Sequence, residues 1–372
     1  MNILIVEPFL TGSHKSWAEE YAKHSSHEVD VLGLEGRHWK WRMHGGAVTL
    51  AKYFLENDLD PDLILATDML DLTTFLALTR EKTAKTPVAI YFHENQLSYP
   101  WSGDDPDPGL KRDVHYGFIN YSSALAADTV LFNSAYHLAS FLPEVSGLLA
   151  AFPDYNEPET AGEILARSSI LPLGVDLAAL DTYMTERDPG SPPLILWNHR
   201  WEYDKNPDDF FKALFTLADK DLEFEVAVLG ESFSKYPPIF DEAKKKLGER
   251  IVQFGYAEDL AEYARWLWRA DILPVTSNHD FFGASTVQAI HCGCVPLLPD
   301  RLAFPEHLSE DLRERFLCKD LGDMISRLRI LIEKHPVTAD TALREFVGKY
   351  DWKKMSKIYD EKFIRLSAPF AG

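Results

Sequence analysis

Short apolar runs alternate with stretches of helical period along the first half of the chain: 2–7 (NILIVE), a helix over 16–24, 28–34 (EVDVLGL), a helix over 47–56, then 62–67 (DLILAT). This βαβ rhythm predicts a parallel sheet. It continues through 87–93 (PVAIYFH), a helix over 116–127, 129–134 (TVLFNS), a helix over 135–141 and 168–175 (SSILPLGV), giving a first domain over 1–180. The polar stretch 181–193, with Pro189, Gly190, Ser191, Pro192 and Pro193, reads as a linker. A second βα series fills 194–349, with strands in 193–199, 223–230, 251–255, 271–276 and 295–299. A last helix over 351–366, in the segment 350–372, is expected to pack back on the first domain. The expected fold class is α/β, with two Rossmann-like parallel-sheet domains. Ligands of such sheets sit beyond the carboxyl ends of the strands, so two domains imply a site in an interdomain cleft.

Charge narrows the partners. With 38 Lys and Arg against 58 Asp and Glu, the net charge of −20 excludes a generally basic nucleic-acid coat or a polybasic membrane-surface protein. A polyanionic ligand must therefore meet a local basic site. Three cysteines form neither a disulfide framework nor a zinc pattern, which points to a reducing, cytoplasmic compartment. No run approaches the roughly 18 apolar residues of a membrane span, so no membrane partner is expected. No stable protein partner, metal or cofactor is implied.

Five places carry candidate chemistry. The first strand runs into the turn Pro8–Lys15, where Gly12, Ser13 and His14 open a helix whose N-terminus attracts anions; an ordinary capped turn explains it equally well. The pair Arg200 and Lys205, just before a helix led by Pro207, suits a diphosphate clamp as well as it suits a solvated surface pair. In 277–296, an acid, a glycine turn and a helix follow a strand; Asp280 and Gln288 stand two helical turns apart, and the backbone near Phe282, Gly283 and Ala284 points at a phosphate or a sugar. His93, Glu94 and Asn95 follow the strand 87–92, which in this architecture faces the cleft. The segment Arg37, Trp39, Lys40, Trp41 and Arg42 interleaves bases with aromatics. It reads either as an edge strand with both tryptophans inward, or as a surface on which nucleic-acid bases stack, helped by Lys111 and Arg112. A DxD pattern within 104–109 reads as a Pro/Gly loop, and His291, Cys292 and Cys294 as packing residues.

The Arg200/Lys205 spacing and the 280–288 segment resemble the donor site of retaining GT-B glycosyltransferases of family 4, although that family usually carries two glutamates where Asp280 and Gln288 stand. A narrower resemblance spans nearly the whole chain. The strings EPFLTGSHKSW, RHWKWRMHGG, YFHENQLSYP, VHYGFINYSSALAADTVLFNS, LWNHRWEYDKNP and HDFFGASTVQAIHCGCVPLLP are similar to the tRNA-queuosine mannosyltransferase family. That resemblance implies GDP-mannose as donor, tRNA as acceptor and retention at the anomeric carbon. It implies that Arg200 and Lys205 hold the diphosphate, that Asp280 with the Phe282/Gly283 backbone holds the sugar, and that Gln288 replaces the ribose-binding glutamate. Gly12, Ser13 and Ala284 join the donor side. His93, Glu94 and Asp280 fall in catalytic places; His14, Arg37, Trp39, Lys40, Trp41, Arg42, Asn95 and Arg112 fall on the acceptor side. Two alternatives stay open: another donor with a lipid, polysaccharide or small-molecule acceptor, and a binding protein without catalysis.

Overall fold

The computed structural model describes residues 1–103, 105–110, 114–232, 235–337 and 340–367. The chain forms two compact units, one of Met1–Gly174 with Trp352–Gly372, the other of Val175–Asp351. In the first, β1 (Asn2–Leu10), β2 (Glu28–Glu35), β3 (Leu63–Thr67), β4 (Val88–Phe92), β5 (Thr129–Phe132) and β6 (Ser168–Ile170) make one parallel sheet in the order β2-β1-β3-β4-β5-β6. Its helices are α1 (Gly12–His24), α2 (Trp39–Glu56), α3 (Leu72–Thr83), α4 (Val114–Ala126), α5 (Ala135–Ala150) and α6 (Thr160–Ala166). Strands β3, β4 and β5 are buried along their whole length, as central parallel strands covered on both faces must be.

The second unit repeats the architecture. Its strands β7 (Leu194–Trp197), β8 (Glu225–Val228), β9 (Ile251–Phe254), β10 (Ile272–Pro274), β11 (Val295–Pro299) and β12 (Leu317–Cys318) lie in the order β12-β11-β10-β7-β8-β9, all parallel. The helices are α7 (Leu177–Asp181), α8 (Pro207–Ala218), α9 (Ile239–Leu247), α10 (Leu260–Arg269), α11 (Ala284–His291), α12 (Glu310–Phe316), α13 (Leu321–Glu333) and α14 (Thr341–Val347). Its core is aromatic: Trp201 stacks on Phe240 at 4.2 Å, and Trp197 meets Phe210 edge-on at 5.0 Å.

In each sheet one pair of neighbouring strands sends its connections to opposite faces, and there the loops part to leave a crevice. That switch falls between β1 and β3 in the first sheet and between β7 and β10 in the second. The segments singled out after β1, β7 and β10 therefore belong to the two switch points.

The closing helix α15 (Trp352–Ser367) packs within the first unit. Trp352, Tyr359 and Phe363 are buried there, and Asp360 accepts hydrogen bonds from the Tyr21 hydroxyl (2.9 Å), the Ser25 hydroxyl (2.6 Å) and the Ser26 amide (2.8 Å). Gly174 lets the Trp352 ring lie against the backbone, since a Cβ there would sit 2.4 Å from it.

Two expectations are corrected. Residues 39–42 are not an edge strand: α2 begins at Trp39, behind a left-handed His38 (φ 53°), because Met43, Ala47, Leu50, Ala51 and Phe54 form a buried stripe at helical spacing that reaches a turn above Ala47. Trp39 and Trp41 are then roughly 200° apart instead of on one face. Nor is 181–193 an interdomain linker: the first unit is left at Gly174, before the expected domain end at 180, and 181–193 lies inside the second unit. Asp181 accepts from His291 Nε2 and from Arg344 (both 2.8 Å), and Arg187 donates to the carbonyls of Trp268 (3.0 Å) and Cys292 (3.2 Å), so the segment is bound into the second unit.

Replacing Trp352 with Ala empties a closed site against Gly174 and Tyr21. The expected cost is about 3–5 kcal/mol, read as a lower denaturant midpoint, and an unchanged midpoint would show that α15 does not complete the first core.

Candidate functional site

In the second unit, β7 leads into Asn198, His199 and Arg200, and the loop after β10 carries Ser277, Asn278, His279 and Asp280. Lys205, only 8% exposed, ties the two loops together. Its Nζ donates to the His279 carbonyl (2.9 Å) and to Asp280 Oδ2 (3.1 Å), and Asp204 Oδ2 lies 3.1 Å away. Burial opposes the lysine's charge, yet Asp280 and Asp204 together raise its pKa above the ordinary value. Burial likewise works against the charge of Asp280, but Lys205 outweighs it and holds the carboxyl below its usual range. Arg200, by contrast, stands at the surface, its guanidinium 3.2 Å from Glu202. The two cations expected to clamp one ligand are thus divided: Arg200 faces solvent, and Lys205 is turned inward between buried Asp204 and half-buried Asp280.

Gly283 opens α11 in the left-handed region (φ 83°), with Phe304 3.1 Å from where a Cβ would stand, so a side chain there is both strained and crowded. Beyond it the Ala284 and Ser285 amides have no partner within the helix. The preceding Phe282 carbonyl accepts from His307 Nε2 at 2.5 Å, and the Phe282, His307 and Tyr350 rings meet edge to face. His199, buried, shares a hydrogen bond between Nδ1 and the Ser285 hydroxyl (3.1 Å), while its Nε2 has no hydrogen-bond partner. Asn198 donates to the Ser285 carbonyl (2.8 Å) and Tyr263 to Gln288 Oε1 (2.9 Å). Asp280 and Gln288 thus each have a protein partner, Lys205 for one and Tyr263 for the other. Near the same strand ends, Arg200 faces solvent and the buried Nε2 of His199 lacks a hydrogen-bond partner.

The first unit presents a buried ionic cluster at its own switch point. Glu7, at the end of the apolar part of β1, is fully buried; its Oε1 accepts from the Phe9 amide and its Oε2 pairs with His14 Nδ1, at 2.7 and 2.8 Å. Burial opposes a proton on His14, but the charge and hydrogen bond of Glu7, with Asp68 and Glu94 adding to them, lift its pKa to about 9. The His93 ring lies 4.2 Å from that of His14. Burial, then the His14 charge, drive the His93 pKa well below its ordinary value, and its Nε2 has no hydrogen-bond partner. The loop is held by the Asp68 carboxylate, which accepts from the His93 amide (2.7 Å), and by Asn133, which donates to the His93 carbonyl (2.9 Å). Asn95 spends its Oδ1 on the Leu97 and Ser98 amides, and Glu94 accepts from Gln96. Gly12 and Ser13 are exposed at the start of α1. Among the described residues, Glu7, His14 and His93 are the group whose donor atoms lie close enough to hold a metal ion, within 4.8 Å of one another. Glu7 Oε1 is taken by the Phe9 amide and Oε2 by His14 Nδ1.

The acceptor-side candidates separate. Lys40 is ion-paired with Asp105 (2.7 Å) and Asp107 (2.5 Å). Trp39 packs on Tyr116 and Trp101, with ring centres 5.1 and 6.1 Å away, whereas Trp41 is 63% exposed. Arg37 pairs with Glu35 (2.7 Å), and Arg42 donates to the Glu35 carbonyl. Lys111 and Arg112 lie outside the described residues. Cys292 and Cys294 are buried packing residues, the thiol of Cys294 pushed up to about 12 by burial. Sequence reading missed Glu7, Asp68, Tyr263 and His307. Only Glu7 left a signal, an acid closing an apolar strand seven residues before a histidine.

The chain is similar to known proteins along most of its length. The family model described as tRNA-queuosine alpha-mannosyltransferase N-terminal matches residues 2–175. The tRNA-queuosine alpha-mannosyltransferase of Drosophila melanogaster is 33% identical over 313 residues, 82% of this chain and 81% of that one. The GDP-mannose:cellobiosyl-diphosphopolyprenol alpha-mannosyltransferase of Xanthomonas oryzae is 21% identical over 218 residues, 56% of each chain. Among solved structures, HepE of Anabaena in complex with UDP and glucose superposes with a TM-score of 0.68 at 14% identity, over 98% of this chain and 100% of its own. Sucrose-phosphate synthase of Thermosynechococcus elongatus does so with 0.70 at 13% identity, over 99% of both. The fold is thereby that of GT-B glycosyltransferases.

The buried histidines predict acid sensitivity. Burial is the largest cause holding His199, His279 and His307 down at about 4. Below pH 6.5 the unfolded chain therefore takes up protons that the folded one refuses, and stability falls as pH drops from 6.5 towards 4. Asp280, with its lowered pKa, adds a further loss below about pH 3.8. Urea midpoints measured across this range should decline steadily; a flat profile between pH 6.5 and 4.5 would contradict the assignment.

Proposed function

This chain belongs to the tRNA-queuosine alpha-mannosyltransferase family, and we propose on that premise that it transfers mannose from GDP-mannose to queuosine in tRNA with retention. The observation that carries the reading is the β7/β10 switch point, whose strand ends lead into solvent-facing Arg200 and into the glycine-capped start of α11. In the proposed step the bond between the anomeric carbon and the diphosphate oxygen breaks, a hydroxyl oxygen of the acceptor bonds to that carbon on the same face, and its proton passes to the departing phosphate. The barrier is lowered chiefly by stabilising charge on that phosphate. Arg200 suits this role as a planar fork, and the helix amides add fixed partial charge.

Lys205 supports the reading differently from a direct phosphate ligand: it fixes the carboxylate of Asp280, which is then aimed at the donor sugar, beside the Phe282/Gly283 backbone oriented by His307. Gln288, its carbonyl taken by Tyr263, meets the nucleotide ribose with its amide donors. On the first unit, His93, whose buried Nε2 lacks a hydrogen-bond partner, forms the catalytic and acceptor face with Glu94 and Asn95, and exposed Trp41 with Arg37 offers a base a stacking surface and a phosphate a cation.

GDP release is expected to require both GDP-mannose and queuosine-containing tRNA. Arg200→Ala should lower kcat/KM by about tenfold to a hundredfold, the loss of charge-assisted hydrogen bonds. Equal turnover with tRNA lacking queuosine, or a preference for UDP-sugars, would overturn the assignment.

A further inference from the structure

A carboxylate in the apolar part of a parallel strand is costly to bury, and Glu7 is fully buried in β1. Its surroundings account for it completely. The Phe9 amide fixes one oxygen, which orients the other at His14 Nδ1, so the imidazole is held by a group that cannot turn. His93 stacks beside it at 4.2 Å, and the Trp17 and Tyr91 rings close on His93 at 4.7 and 4.8 Å. Two imidazoles this close in a dry site do not both carry charge, and only His14 has a carboxylate partner.

We infer that Glu7 is a positioning residue that keeps His14 as an imidazolium beside a neutral His93, fixing which of the two rings presents positive charge to the reactants' oxygens. The inference rests on the transferase reading above. The charged and titratable groups facing the pair are Glu7 from β1, Asp68 after β3, Glu94 after β4, and His137 from α5, which acts on His93. Glu7 is the one that contacts the His14 ring directly, and the raised pKa of His14, about 9, agrees with the geometry. His14 then serves as a fixed cation, while His93 keeps a lone pair or a proton on Nε2 for a sugar or acceptor hydroxyl.

The test is Glu7→Gln, which keeps the shape of the side chain and removes its charge. Wild-type kcat/KM should fall on the alkaline side near pH 9, where His14 loses its proton. In the variant that limb should move below pH 6.5, giving a loss of at least about tenfold at pH 7.5 with recovery towards pH 6. A merely structural role would lower activity equally at every pH. A limb that stays near pH 9 in an active Glu7→Gln enzyme overturns the inference. Independently of turnover, the histidine Cε1 resonances of the resting protein, assigned through His14→Gln and His93→Gln, report the two rings directly. His14 titrating near pH 9, and not in Glu7→Gln, supports the inference; His14 titrating at or below pH 6.5 in the wild type overturns it. Absence of turnover with every donor and acceptor would instead overturn the transferase reading, leaving the titration to decide this one.

Discussion

Withdrawing an ammonium group from water costs several kcal/mol unless charge and hydrogen bonds meet it in place, and the loops of the second switch point are arranged around meeting that demand at Lys205. The residue sits in a 3-10 turn ending at Asn206, whose left-handed backbone (φ 53°) turns the chain into α8. The loop after β10 is laid over that turn: the Asn278 amide donates to the Asp204 carbonyl at 2.8 Å, and the Thr276 hydroxyl donates to the Asn206 carbonyl at 2.9 Å. The lysine and its two carboxylates are thereby a joint between β7 and β10, and the placement of Asp280 and of the glycine turn three residues on depends on it. Arg301 braces the same loop from outside through the Thr276 and Ser277 carbonyls.

The two switch points apply one physical principle with opposite protonation. At the first, a buried carboxylate holds a proton on an imidazole at neutral pH. At the second, burial strips protons from His199, His279 and His307, so the charges that remain are those of Lys205, Asp204, Asp280 and Arg200. Among the described residues no helix is long and apolar enough to cross a membrane.

Much of this was legible in the sequence, for reasons that particular residues make plain. Strands such as LILAT and VAIYF are apolar on both faces, which only a covered parallel strand requires, and Gly283 announced a turn because few residues adopt its φ. The start of α2 was not legible: RHWKWR alternates as a strand does, and the stripe that decides for helix lies further on, at Met43 to Phe54. The pairing of Lys205 with Asp280 was hidden by 75 residues of separation, and no motif marks Asp204 as the buried acid beside that lysine. The partners of Gln288 and of the Phe282 carbonyl, Tyr263 and His307, come from elements with no motif of their own.

The chain leaves the first unit at Gly174 and returns to it only at Trp352, so the second unit is an insertion within the first. During synthesis, the six strands of the first sheet leave the ribosome long before the helix that buries Trp17, Tyr21 and Tyr91 exists. At about 5–20 residues per second, making residues 175–351 takes roughly 9 to 35 s, through which that aromatic face stays uncovered. The later half of the protein can therefore complete its core first, and the earlier half, with His14 and His93 beside the waiting face, is finished last.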